Sequence, residues 1–410
     1  MRTSAFAFAT DLHDEGLATV LENVQGRGGI GGITVAAVYH EGRDLFPHNP
    51  VRKVRFLEGG AHFFRADEAR YRGLRIQPHV SELAREADVI ADLCAKAAGR
   101  GLEVHAWTVF LHNDTLGTRH PECAPRNAFG DPYVTDLCPA NPDVRAYVRA
   151  LAGDVARLGV TSILSESLHY HPLEHGYAHE RYFIELGPLS RYLLGLCFCE
   201  HCLAAARNRG VDGEAVRRLA RAELERVFAH GGAEESRDDV SRDELRALAG
   251  GELDGYVAAR QATVASLVAE AAAAAREHDA SFTFMDLSGA VKGYATGRPT
   301  GDPAPAIAWK LGVDVGAVAA ACGSLAAIGY AADPERLRLD LEGYRAVADG
   351  AELSVALRPM APDCDSAENL AAKLRVSREL GLARAHFYHY GFMRLETLDL
   401  VREALDTGAP

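Results

Sequence analysis

The chain predicts a (β/α)8 barrel, and three observations carry the prediction. Eight short, apolar, β-rich runs recur along its 410 residues. Stretches with helical periodicity separate them, the alternation that builds a parallel sheet covered by helices. The glycines Gly26, Gly28, Gly29, Gly31 and Gly32 precede a strand instead of opening a helix, so the phosphate-binding loop of a doubly wound dinucleotide fold is missing.

The runs follow in order. Ala5–Ala9 and Ile33–Val38 come first, and the helical stretch Val80–Ala98 leads into Val104–Phe110. Pro142–Leu158 is the next helix, before the buried run Thr161–Ser165 and Glu166. Residues 204–278, rich in Ala, Arg and Glu and broken between Gly231 and Asp239, form a helical excursion after the fourth strand. Phe282–Met285, Leu325–Gly329, Leu353–Leu357, the helix Ala367–Leu380 and Ala385–Tyr388 complete the eight. With no internal repeat and no Pro- or Ser-rich linker, residues 1–410 are expected to form a single domain.

A formal charge of −13 argues against nucleic acid or an anionic membrane as the main partner. No apolar run approaches the roughly 18 residues that span a bilayer. The start, MRTSAFAFATDLHDEG, is too short in its apolar part for a signal peptide. The expected compartment is cytoplasmic, where the eight cysteines stay reduced or bind metal. A homo-oligomer is compatible with this composition.

In a barrel the residues just after each strand share one face, where chemistry is built. Here they are Asp11 and His13, His40 and Glu41, His112-Asn113-Asp114, Glu166 and His169, Asp286, Tyr330, Arg358, and His389 with Tyr390. His112-Asn113 and His40-Glu41 suit the alternating donors and acceptors of a polyhydroxylated, small-molecule carbohydrate, with His169 as a further binding residue. Tyr330 and Tyr390 either stack on a sugar ring or pack in the barrel, and Arg358 implies an anionic substrate group or a salt bridge that holds an aspartate ionised. His175 and His179, four residues apart beside Glu174 and Glu180, offer a second metal site on the His169–His179 loop.

Cys197-x-Cys199-x-x-Cys202 puts three thiols within six residues, and Cys138 is the expected fourth ligand of one tetrahedral zinc. Cys123 and His201 are reserves. Four thiolates leave no open position, so this zinc is structural. Cys94, Cys322 and Cys364 are isolated in sequence and read as small apolar residues.

His120-Pro121-Glu122, Gly130-Asp131, Cys138-Pro139-Ala140-Asn141-Pro142-Asp143-Val144-Arg145, Glu166 and the cysteine cluster together resemble zinc-containing microbial β-galactosidases and their uncharacterised barrel relatives. The resemblance spans about residues 100 to 205. It implies a (β/α)8 barrel with zinc on four cysteines, an acid/base Glu ending the fourth strand and a nucleophilic Glu ending the seventh. Glu166 takes the acid/base position. Ser165 stands where that family has Asn, and the seventh strand ends Leu357-Arg358-Pro359-Met360 without a Glu. Asp286 is therefore the expected partner, with Asp363 and Asp365 next and Asp11 further back.

The resulting expectation is glycoside hydrolysis by the carboxylate pair Glu166 and Asp286. Against it stand a structural ion pair for Glu166 and a strand-end turn for Asp286. Two other functions compete: a metal-dependent sugar isomerase or epimerase built on the histidine loop, and a barrel that binds carbohydrate without cleaving it.

Overall fold

Eight parallel strands close on themselves: β1 (Arg2–Phe8), β2 (Gly32–Tyr39), β3 (Glu103–Val109), β4 (Ser162–Glu166), β5 (Ser281–Asp286), β6 (Ser324–Ile328), β7 (Glu352–Leu357) and β8 (Arg384–Phe387). Each pairs with the next, and β1 pairs with both β2 and β8, which shuts the ring. This computed structural model describes residues 1–173, 180–231, 239–292, 296–348 and 350–407, with the side chains of 290–292 outside that description.

Register decides which side chains face inward, because partners across a parallel pair share a face. Ser4 aligns with His386, Phe6 with Thr34, and Trp107 with Leu164. The N-terminal end of the barrel is sealed by ion pairs: Arg384 reaches Glu103 at 2.8 Å and Glu352 at 3.4 Å, and Arg2 meets Glu103 at 2.9 Å. A buried polar layer lies above it, where Ser4 Oγ bonds Thr34 Oγ1 (2.6 Å) and His386 Nδ1 (2.7 Å). His105 Nδ1 and Ser162 Oγ pair at 2.7 Å in the same layer. Aromatic rings fill the next level, with Phe6 edge-on to Trp107 at 5.0 Å and to Tyr388 at 5.4 Å. The barrel is thus plugged at one end, and only its C-terminal mouth is left for a ligand.

Local chemistry starts the outer helices. Asn141 Oδ1 accepts the backbone N–H groups of Asp143 (2.8 Å) and Val144 (3.3 Å) ahead of Pro142–Ala156, with proline at the first helical position. Asp333 and Ser366 cap Pro334–Val347 and Ala367–Glu379 in the same way. The excursion after β4 begins earlier than expected, at the helix Pro188–Leu194. Its closing helix, Gly251–Arg276, is the barrel's own layer helix, because Glu270 on it pairs with Arg145 and, at 2.7 Å, with Arg149 of Pro142–Ala156. The intervening helices carry their own small core around Leu203, Leu224, Leu245 and Tyr256. Among the described residues no single helix is long and apolar enough to cross a membrane.

Candidate active site

Glu166 ends β4 on the inward face. Its Oε2 accepts the indole N–H of Trp107 at 2.5 Å. Trp107 is itself held rigid by Phe6 and by Tyr39, whose ring lies 4.4 Å away. Burial raises the Glu166 carboxyl above its ordinary value, against opposing pulls from the Trp107 hydrogen bond and the His112 imidazole. Ser167 follows in the left-handed region (φ +56°), a conformation a non-glycine residue holds only at a cost of order 1–3 kcal/mol. It turns the chain sharply out of the strand and leaves the carboxyl at the mouth. The arrangement has the properties of a general acid that stays protonated above the usual carboxylate range.

Asp286 does not share this site. Glu166 continues the register in which Leu164 faces Thr283, so its inward neighbour on β5 is Met285 and Asp286 points the other way. Its Oδ1 accepts Ser288 Oγ (2.6 Å) and N–H (3.0 Å), and its Oδ2 accepts the hydroxyl of Tyr344 (2.7 Å) on Pro334–Val347. This carboxyl closes a strand-end turn and ties the barrel to its helical layer. The expected pair Glu166–Asp286 is not formed.

At the end of β7 the Arg358 guanidinium grips Asp363 through two bonds of 2.8 Å and lies over the Tyr330 ring at 4.8 Å. Burial raises the Asp363 carboxyl while Arg358 opposes the shift. Asp363 is 1% exposed, so removing its cation strands a charge in the interior. Arg358→Met is expected to lower stability by about 3 kcal/mol, read as a fall in the urea midpoint, and adding Asp363→Asn should restore part of the loss. Additive losses from the two substitutions would show that the pair is not coupled.

The other expected ligand-binding residues divide into two groups. Asn113 is buried as the N-cap of Asp114–Arg119, accepting Leu116 N–H at 2.9 Å and donating to the Gly60 carbonyl at 3.3 Å. Tyr390 is buried with its hydroxyl donating to Glu15 (2.7 Å) and accepting from Asn23 (2.9 Å). Both are occupied structurally. His40, by contrast, stacks on Tyr39 at 4.1 Å and faces His112 at 5.0 Å. His112 and His171 both contact Asp136, and His169 lies beside His171. Burial opposes ionisation of Asp136, but His171 and His112 outweigh it and hold this carboxyl well below the usual range. Asp136 carried no periodic or motif signal; its place two residues before Cys138 was the one clue. Glu174, His175 and His179 lie outside the described residues.

The four cysteines converge beside this group. Cys138 Sγ lies 3.9 Å from Cys197, 3.5 Å from Cys199 and 3.5 Å from Cys202, and all four sulfurs fall within 4.8 Å of one another. A tetrahedral ion with sulfur at about 2.3 Å requires sulfur–sulfur edges of roughly 3.8 Å, so the donor set fits zinc. Outer partners are in place: Tyr170 hydroxyl meets Cys202 Sγ at 3.2 Å, and Arg126 N–H points to Cys197 Sγ at 3.3 Å. Neither Cys123 nor His201 joins the cluster.

No family model matches the chain, and no curated protein matches it by sequence. Solved structures do match in fold. The β-galactosidase of the psychrophilic Marinomonas ef1 aligns with a TM-score of 0.56 at 10% identity, covering 99% of this chain and 59% of that one. The α-L-fucosidase isoenzyme 2 of Paenibacillus thiaminolyticus gives 0.53 at 12%, covering 99% and 49%. The catalytic domain of β-amylase from Paenibacillus polymyxa gives 0.55 at 10%, covering 100% and 99%. The chain thus spans about half the length of the first two and all but 1% of the third. At these identities the likeness establishes the (β/α)8 fold, whose structural neighbours here are glycoside hydrolases.

Proposed function

We propose that the chain is a glycoside hydrolase acting on a carbohydrate at the barrel mouth, with Glu166 as general acid. The observation that carries this reading is the Glu166 carboxyl itself. It ends β4 on the inner face, burial favours its protonated form, and Trp107 donates to Oε2, which leaves the proton for Oε1. The fold of its structural neighbours and the cysteine-rich motif around Glu166 support the same class. Cleavage also needs an ionised group across the sugar ring, and Asp286 is turned away from that role. The four cysteines would hold a structural zinc that pins the loops after β3 and β4; closed by four thiolates, it would take no direct part in chemistry.

One observation favours binding without cleavage: the end of β7, where a nucleophile is expected by resemblance, holds Arg358 closed on Asp363. A panel of aryl glycosides and disaccharides, assayed for turnover and for binding, separates the two readings. Hydrolysis by the wild type supports the enzyme. Saturable binding without turnover across the panel replaces it with the binding barrel.

A further inference from the structure

Four imidazoles form a chain across the loops beside Glu166. The ring centroids of His40 and His112 lie 5.0 Å apart, those of His112 and His171 5.4 Å, and those of His171 and His169 5.0 Å. Asp136 sits among them. Its Oδ1 is 3.2 Å from His112 Nδ1 and 2.7 Å from His171 Nδ1. One donor atom from each of these three residues lies within 4.8 Å of the other two. Their side chains are 8%, 7% and 4% exposed for His112, Asp136 and His171.

Separate parts of the chain deliver the three donors. His112 follows β3, Asp136 precedes Cys138, and His171 follows β4; His112 and Asp136 are further fixed by an antiparallel bridge. Tetrahedral bonds of about 2.0–2.2 Å place neighbouring donors roughly 3.3–3.6 Å apart. The 3.2 Å between His112 and Asp136 is near that spacing, whereas the 2.7 Å between His171 and Asp136 is a direct contact that an ion would have to open. A second observation points the same way. His169 Nδ1 donates to the Tyr170 carbonyl at 2.8 Å, which leaves the lone pair on Nε2, and that atom is buried without a hydrogen-bond partner. Asp136 and His171 also line a cavity of about 390 Å³.

We propose that His112, Asp136 and His171 bind one divalent transition-metal ion. Two imidazoles and one carboxylate select zinc, iron(II), cobalt(II) or manganese(II) over magnesium and calcium, which prefer oxygen throughout. The site is distinct from the four-thiolate cluster in every ligand, although Tyr170, between His169 and His171, touches Cys202. An ion there presents a Lewis acid to an oxygen ligand in the mouth. The inference goes beyond the glycosidase reading and stands without it, because its readout is binding.

The test is a titration of the full chain, dialysed against a mild chelator, with zinc, manganese(II) and cobalt(II) in turn. One equivalent beyond the metal retained by the cysteines is expected to bind. Bound cobalt should show weak d–d bands without thiolate charge transfer. His171→Ala should weaken that equivalent by more than about 100-fold, beyond the range for outer-sphere changes. The cysteine-held metal should remain, which reports that the neighbouring loops are still folded; His112→Ala provides the second variant if it does not. Failure of all three metals to bind beyond the cysteine site overturns the proposal. So does unchanged affinity in both variants.

Discussion

Cys199→Ser is expected to abolish the zinc binding proposed for the four cysteines and to lower the thermal midpoint by about 5 °C. The Cys138 sulfur lies 3.5–3.9 Å from each of the other three in a buried cluster, and no other described Cys, His, Asp or Glu belongs to that cluster. Without an ion, burial and the neighbouring thiols push the Cys138 thiol well above its usual value, so four thiolates cannot coexist there uncompensated. Metal binding free energy is therefore folding free energy for these loops. Loss of a native metal belongs to the short list of changes that exceed about 4 kcal/mol, and a chain of this size, at about 2.1 cal/mol/K per residue, shifts by roughly 1 °C per kcal/mol. Because Cys138 follows Asp136 by two residues and Tyr170 bridges to Cys202, the loss should loosen the histidine group as well. Elemental analysis and a thermal melt on the purified variant decide the matter. Unchanged zinc and an unchanged midpoint together would sink the structural-zinc assignment.

What the sequence disclosed follows from where its signals are local. The run Thr161–Ser165 became Ser162–Glu166, and Leu353–Leu357 became Glu352–Leu357, because a short apolar stretch bounded by turns fixes a buried strand directly. Three cysteines within six residues are equally local, and the helix start at Pro142 brought Cys138 to them. Asp286 failed for a different reason. Phe282–Met285 is buried on both faces, so it has no alternation from which to read direction, and a step of one residue moves a side chain to the other face. Asn113 and Tyr390 sit at strand ends as expected but are consumed by a helix cap and by Glu15, partners set by the fold. The Asp136 contacts join three loops, and no sequence window holds all three. Gly251–Arg276 looks like its neighbours in composition, while its Glu270 pairs place it against Pro142–Ala156 in the barrel layer.

Glu166→Gln is expected to lower kcat/KM on glycosides with poor leaving groups by about 10²–10⁴-fold, or about 3–5 kcal/mol of transition-state stabilisation. The loss should shrink sharply for a nitrophenyl glycoside, whose leaving group departs with little proton assistance. A residue that only shaped the pocket would depress both substrates alike. Stability gives an independent reading. Burial raises the Glu166 carboxyl in the folded state, so folding favours the protonated form. Its stabilising contribution is complete below the unfolded carboxyl value of about 4.3. It is lost as pH rises through the folded value. Glutamine cannot ionise and escapes that loss while still accepting the Trp107 indole N–H through its carbonyl oxygen. The variant should therefore be at least as stable as the wild type at neutral pH, with the difference closing below about pH 4. The same raised value keeps the acid protonated further into the neutral range, so the alkaline limb of the wild-type pH profile should fall at a pH above that of an ordinary carboxyl and vanish in Glu166→Gln. Full activity on poor leaving groups in a folded Glu166→Gln protein would remove Glu166 from the chemistry.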